Sequence, residues 1–105
     1  MIKLKVLRIR PDKVGRLRAW LAEAGGRADE IRETFVNEGV THEQGFILST
    51  VDGPVLVYAV ESADYEAALR AFAESPFPID AEHKTVMAEV TDGELPVPLL
   101  LDIHV

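Results

Sequence analysis

The sequence predicts an α+β domain: a four-stranded antiparallel sheet with helices packed on one face. Three observations carry that expectation. The chain opens on a period-two apolar alternation, continues into an apolar stripe spaced by threes and fours, and then places Asp52-Gly53 between two apolar runs.

Ile2 to Ile9 reads as the first strand, with Ile2, Leu4 and Val6 in alternation. The apolar phase changes between Val6 and Leu7, which predicts a bulge or an early strand end. Pro11 and Asp12 open a helix, because proline suits the first helical position and an acid suits the positive end of the helix dipole. Val14, Leu17, Leu21, Ala24, Ala28, Ile31 and Phe35 then form one stripe that keeps phase through Gly25-Gly26. Residues 12–37 are therefore expected as a single helix. A kink or break at the glycine pair is the rival, since each glycine costs about 1 kcal/mol relative to alanine. Gly39 is the stop signal.

Val40 to Val51 and Pro54 to Val60 flank Asp52-Gly53 as strands two and three of a hairpin. In strand three Val55, Val57 and Ala59 share one face while Leu56, Tyr58 and Val60 share the other, so both faces read as buried. Ser62 or Asp64 caps a second helix containing Tyr65, Ala68, Leu69 and Phe72, which ends before Ser75-Pro76-Phe77-Pro78. A short third helix is expected from Asp80, its inner face carrying His83, Val86 or Met87, and Val90, with a stop near Asp92-Gly93. After Pro96, the alternation Val97, Leu99, Leu101, Ile103, Val105 predicts a final strand, with Leu100, Asp102 and His104 on its other face.

The order β-α-β-β-α-(α)-β, one hairpin between two helical crossovers, is that of the ferredoxin-like split βαβ sandwich. Right-handed crossovers put the helices on one side and leave the other face of the sheet bare. An apolar bare face predicts a homodimer packed sheet to sheet.

A chain of 105 residues with 48% apolar and 28% charged content supports one domain, residues 1–105, and excludes two independent cores. There is no cysteine, hence no disulfide framework, thiolate nucleophile or cysteine-based metal site. No apolar run reaches the roughly 20 residues of a membrane helix, and Met1-Ile2-Lys3-Leu4-Lys5 is no signal peptide, so no membrane partner and a cytoplasmic location are expected. The net charge of −7 argues against nucleic acid as a partner. Basic residues are nonetheless concentrated in residues 1–18, where Lys3, Lys5, Arg8, Arg10, Lys13, Arg16 and Arg18 face a single acid, Asp12. Either they pair with acids elsewhere in the fold or they form an anion site.

The three histidines, His42, His83 and His104, show no metal-ligand spacing, and neither metal nor cofactor is expected. His42 and Glu43 are neighbours on a strand and point to opposite faces. Asp102 and His104 share a face, but at a terminus. His83 falls on an apolar helix face, where a carboxylate partner would let it act as acid or base near neutral pH. Glu43, whose strand runs into Phe46-Ile47-Leu48, is the expected partner, and Tyr58 on the paired strand completes the cluster. These three residues are the candidate catalytic or ligand site. Their bland alternative is a hydrogen-bond network that ties the third helix to the sheet. Trp20 reads as core or interface filler. No phosphate-cradling glycine loop or nucleophile signature is present.

The basic first strand, the Pro11-Asp12-Lys13 helix start, Glu43 to Phe46, the Asp52-Gly53 hairpin leading to Tyr58, and Ser75-Pro76 through Ile79-Asp80 to His83 together resemble a family of small bacterial proteins catalogued as a domain of unknown function. The resemblance covers nearly the whole chain. In that family the late segment runs Ile-Asp, two variable residues, His, then an aromatic pair; Val86 and Met87 stand in the aromatic places here. The resemblance implies membership of the dimeric α/β-barrel group, which includes cofactor-independent monooxygenases, haem-degrading enzymes and stress-responsive proteins. It implies no catalytic residue.

Two functions are therefore expected. One is binding or transforming a small molecule in a pocket between sheet and helices, with Glu43, Tyr58 and His83 as its polar groups. The other is a non-catalytic homodimerisation or stress-response module in which the same residues are structural. A pure scaffold has little reason to bury Glu, Tyr and His together.

Overall fold

The computed structural model describes residues 1–105. Its elements are β1 (Ile2–Ile9), a 3-10 turn (Pro11–Lys13), α1 (Val14–Gly26), α2 (Ala28–Glu38), β2 (Val40–Thr50), β3 (Gly53–Ser62), α3 (Tyr65–Ala73), α4 (Pro78–Val90) and β4 (Thr91–Leu95). The strands form one antiparallel sheet in the order β2-β3-β1-β4. The expected α+β class with a four-stranded antiparallel sheet is what the chain adopts, with four helices. No helix is long and apolar enough to cross a membrane.

One face of the sheet carries the core. Ile9, Leu56, Tyr58 and Val60 project from it against Leu17 and Trp20 of α1, Ala68 of α3, and Ile79, Val86 and Val90 of α4, while Ile31 and Phe35 of α2 pack at the margin. The opposite face has no helix. Its pairings bring Val6 beside Val57 and Val57 beside Phe46, with Leu4 across from Ala59 and Leu48 across from Val55. Ile2, Leu4, Phe46 and Leu48 are exposed there, so strand three is apolar on both sides, as its alternation implied.

The phase change in β1 has its explanation in this arrangement. Ile2, Leu4 and Val6 serve the open face, whereas Leu7 and Ile9 serve the helix face. Pairing with β3 runs without interruption from Ile2 to Arg8, and the irregularity falls on the β4 side, between Leu7 and Ile9.

The single helix expected over residues 12–37 is two helices. Arg27 leaves helical geometry at φ −115°, ψ 36°, its N–H donating to Ala24 O at 3.0 Å, and Ile31 N–H restarts the ladder on Arg27 O at 3.2 Å. The glycine pair lowers the cost of stopping there. Because only one residue is non-helical, the stripe stays in phase, and Val14, Leu21, Ala24, Ile31 and Phe35 all reach the core. Gly39 ends α2 in the left-handed conformation, φ +77°, with its N–H on Phe35 O, where a side chain would be strained.

Three smaller boundaries also move. Thr50 pairs with Gly53, so the two-residue hairpin loop is Val51-Asp52, one position earlier than Asp52-Gly53. Its closure uses the Thr50 hydroxyl, which donates to Gly53 O and accepts from Asp52 N–H. Asp64, of the two caps considered for α3, accepts from Ala67 N–H at 3.0 Å. The helix expected from Asp80 begins at Pro78, which lacks an N–H that the first turn would leave unpaired anyway.

The final strand is the largest correction. β4 is Thr91–Leu95, directly after α4, and the alternating segment 97–105 is not a strand. Pro96 and Pro98 remove two ladder donors at the point where β4 would have to continue. Leu99, Leu100, Leu101 and Ile103 stand exposed. The alternation is real, but nothing within the chain pairs with it.

Candidate functional site

Between the helix face of the sheet and the helices lies a cavity of about 710 Å³. Period two places Glu43 and Gly45 of β2 and Tyr58 of β3 on that face, with Gly45 directly opposite Tyr58. A Cβ at Gly45 would sit 3.2 Å from Tyr58 Cε1, so glycine is what lets the phenol ring lie across β2. From the other wall α4 contributes Asp80 and His83, which share a helix face three residues apart.

His83 is the hub. Its Nε2 is 3.1 Å from Tyr58 Oη. Its ring stacks on Trp20, with centroids 5.9 Å apart and planes at 27°, and meets the Phe72 ring edge-on at 5.3 Å. Burial among these rings lowers the His83 pKa from 6.5; Asp80 opposes that effect, while Lys5 and Lys84 reinforce it. The imidazole is therefore held neutral, and with its proton on Nδ1 the Tyr58 hydroxyl donates to Nε2. Burial, and secondarily the charge of Glu43, raises the Tyr58 pKa, so the phenol keeps its proton.

Glu43 lines the same cavity as His83 but makes no hydrogen bond to it; the partner of His83 is Tyr58. Burial first, and Asp80 second, push the Glu43 carboxyl up to about 7, against the opposing pull of Lys5. Two acids that sequence reading passed over join it. Glu38, at the end of α2, is also raised to about 7 by burial and by the charges of Asp80 and Glu43. Asp80 is 3% exposed, and its Oδ2 has no hydrogen-bond partner. Its signal was present in the Ile79-Asp80-x-x-His83 spacing, but an acid in the first turn of a helix ordinarily reads as a dipole partner. Trp20, read as filler, is indeed buried and is also the stacking face for His83.

The break between α1 and α2 contributes to the site from outside. Arg27 donates two parallel hydrogen bonds to Glu82 of α4, at 3.1 and 2.7 Å, and a third to Glu30 at 2.7 Å. That fork ties α4, at the residue next to His83, to the break between α1 and α2. The basic N-terminal segment is partly accounted for by exposed pairs: Lys5 with Glu94, Arg10 with Asp92, and Lys13 and Arg16 with Glu89. A second hollow of about 660 Å³ lies at the end of the open face, where Arg8 and Arg10 are balanced by Asp12, Asp52 and Asp92. His42 is exposed on β2, and His104 lies 3.3 Å from Asp102 in the exposed C-terminal segment. No group of three or more His, Asp or Glu side chains is arranged to hold a metal ion.

The fold and site define a small α+β protein with a ligand-sized apolar cavity whose polar groups converge from β2, β3 and α4. The chain belongs to the Family of unknown function (DUF6176), whose model matches residues 1–104. No curated protein matches it.

Proposed function

We propose that the chain is a ferredoxin-like protein of the dimeric α/β-barrel kind that binds or transforms a small, largely apolar molecule in the cavity between sheet and helices. Tyr58, His83 and Glu43 are its polar determinants. The observation that carries this reading is the convergence of Glu43, Tyr58, His83 and Asp80 on a cavity of about 710 Å³, where Asp80 is buried and its Oδ2 has no partner in the chain. A buried carboxylate left without a partner is costly, and a side chain serving only to fix α4 to the sheet would be paired. Glu43, with a pKa of about 7, has the protonation balance of a group able to give or take a proton near neutral pH.

The fold reading rests on the strand order β2-β3-β1-β4 with helices on one face. The dimer reading rests on the open face, where Ile2, Leu4, Phe46 and Leu48 remain exposed around the apolar centre of β3. A second copy of the same face is the occupant that closes it by two-fold symmetry.

Benzyl alcohol, a neutral probe of suitable size, tests the cavity by NMR titration of the parent and of Ala24→Trp, which fills the space. Saturable shifts at Leu21, Tyr58 and His83 in the parent, lost in Ala24→Trp, are expected. Shifts spread over the surface, or none at millimolar probe, would overturn the reading.

A further inference from the structure

Three carboxyls line the cavity, and none has a partner. Glu38, Glu43 and Asp80 take part in none of the chain's salt bridges. Some surface acids are paired: Glu82 and Glu30 meet Arg27, and Glu89 meets both Lys13 and Arg16. Two lysines stand at the cavity wall and act on its charges at a distance, but neither forms an ion pair with these three acids. Lys5 Nζ is 3.7 Å from Glu94, and Lys84 Nζ donates to Ala73 O at 3.1 Å. The acids line an apolar space that Trp20, Tyr58 and Phe72 also border, with Trp20 stacked on His83 and the Lys84 ammonium 4.9 Å from the Phe72 ring centroid.

Unpaired carboxylates in a low-dielectric cavity attract a cation, and apolar walls take an apolar body. We propose that the cavity takes an organic ammonium ion, its charge held by Glu43 and Asp80 and its apolar body lying among the apolar lining residues Leu21, Ala24, Ile31 and Phe35. This rests on the cavity reading above and names the ligand class. The raised pKa values of Glu38 and Glu43 agree with it, because a bound cation would draw both back to the carboxylate form.

Benzylamine, cationic at pH 8, and benzyl alcohol form a near-isosteric pair that isolates the charge. Benzylamine should bind at least about tenfold more tightly, a ratio that a partly desolvated ion pair supports. In Asp80→Asn and in Glu43→Gln the ratio of benzylamine to benzyl alcohol affinity should fall toward one; a ratio unchanged in both variants overturns the assignment of the charge to these carboxyls. Glu43→Gln carries the test alone where Asp80→Asn fails to fold. Equal binding of the two probes by the parent overturns the charge assignment and leaves the cavity reading standing. Binding of neither probe overturns both.

An independent observation concerns residues 96–105. Leu99 to Val105 alternate without proline or glycine, are exposed along their length, and follow β4 at one edge of the sheet. At the other edge lies β2, eleven residues without proline, whose only acid, Glu43, points inward. Its outer N–H and C=O groups are unpaired, the condition that invites strand addition. Three strands separate the arm from its own β2. We infer that the arm of one copy pairs along β2 of a second copy, extending the open face beside Phe46 and Leu48.

The inference rests on the sheet-face dimer, and its test separates the two. The parent should sediment at twice 11.6 kDa. A chain ending at Leu95 should associate at least about tenfold more weakly, because it lacks the aliphatic side chains that the arm would bury. In a mixture, a spin label on Val105→Cys in one copy should broaden the β2 amides of a nitrogen-15 copy. A dimer without that broadening, or one indifferent to truncation, overturns the arm alone. A monomeric parent overturns both.

Discussion

The Tyr58 hydroxyl and His83 Nε2 are 3.1 Å apart, joining the central apolar strand β3 to helix α4 across the wall of the cavity. The pair is neutral, since burial moves the phenol pKa up and the imidazole pKa down. Tyr58→Phe removes the donor that favours neutral His83. The variant should lose about 1 kcal/mol of stability, and the NMR titration midpoint of His83, below 6.5 in the parent, should rise. An unchanged midpoint would show that the contact does not hold the imidazole.

Glu43 should make the fold sensitive to alkali. Its folded pKa, about 7, lies above its ordinary 4.5, so its contribution to stability is full below 4.5 and lost as pH rises through 7. Glu43→Gln, which mimics the protonated acid, should equal the parent at pH 4 and exceed it at pH 8 by on the order of 2–3 kcal/mol. Urea unfolding at the two pH values measures the difference.

His83 has the opposite sign. Its folded pKa is depressed below 6.5, so the stability it contributes is present above 6.5 and lost as pH falls through the folded value. Removing the ionisable ring in His83→Phe should abolish the acid-side loss in an unfolding series from pH 7 to 5. A parent whose stability does not decline there beyond that of the variant would contradict the burial of a neutral imidazole.

Arg27 should act as a clamp rather than as a charge. Arg27→Lys keeps the cation but loses the fork to Glu82, and it should lower the melting temperature nearly as much as Arg27→Ala. Both variants should move the His83 ring resonances, because Glu82 and His83 are neighbours on α4. Full rescue by lysine would reduce the interaction to simple charge pairing.

Gly45→Ala puts a Cβ 3.2 Å from the Tyr58 ring. The ring must give way by a few tenths of an ångström, lengthening its contact with His83. The expected result is a raised His83 midpoint, smaller than in Tyr58→Phe, read by the same titration.

The first three strands, the hairpin and the core stripe were legible because each is a periodicity, and periodicity survives in one dimension; the fourth strand, Thr91–Leu95, was not. Tyr58, Glu43 and His83 were legible for the same reason, as polar groups on apolar faces. Asp80 and Glu38 were not, because acids near helix ends look the same whether they meet solvent or a cavity. The helix break was half legible. Gly25-Gly26 marked the place, but the stripe kept its phase, and only Arg27's reach to Glu82 on α4 shows what occupies the interruption.

What the residues determine by themselves is local: which stretches are strands or helices, and which faces are apolar. β3 is apolar on both faces wherever it is put. What only the tertiary structure decided is which of those faces meet. Val97 to Val105 alternate as a strand should, yet a strand exists only where another backbone supplies its hydrogen bonds, and within this chain Thr91–Leu95 fills the place beside β1. Likewise His83 drew a carboxylate partner on paper, but the register of β2 on β3 and the placement of α4 set the Tyr58 hydroxyl against it. Partner choice is decided by distances between segments far apart in sequence, and spacing along the chain does not encode those distances.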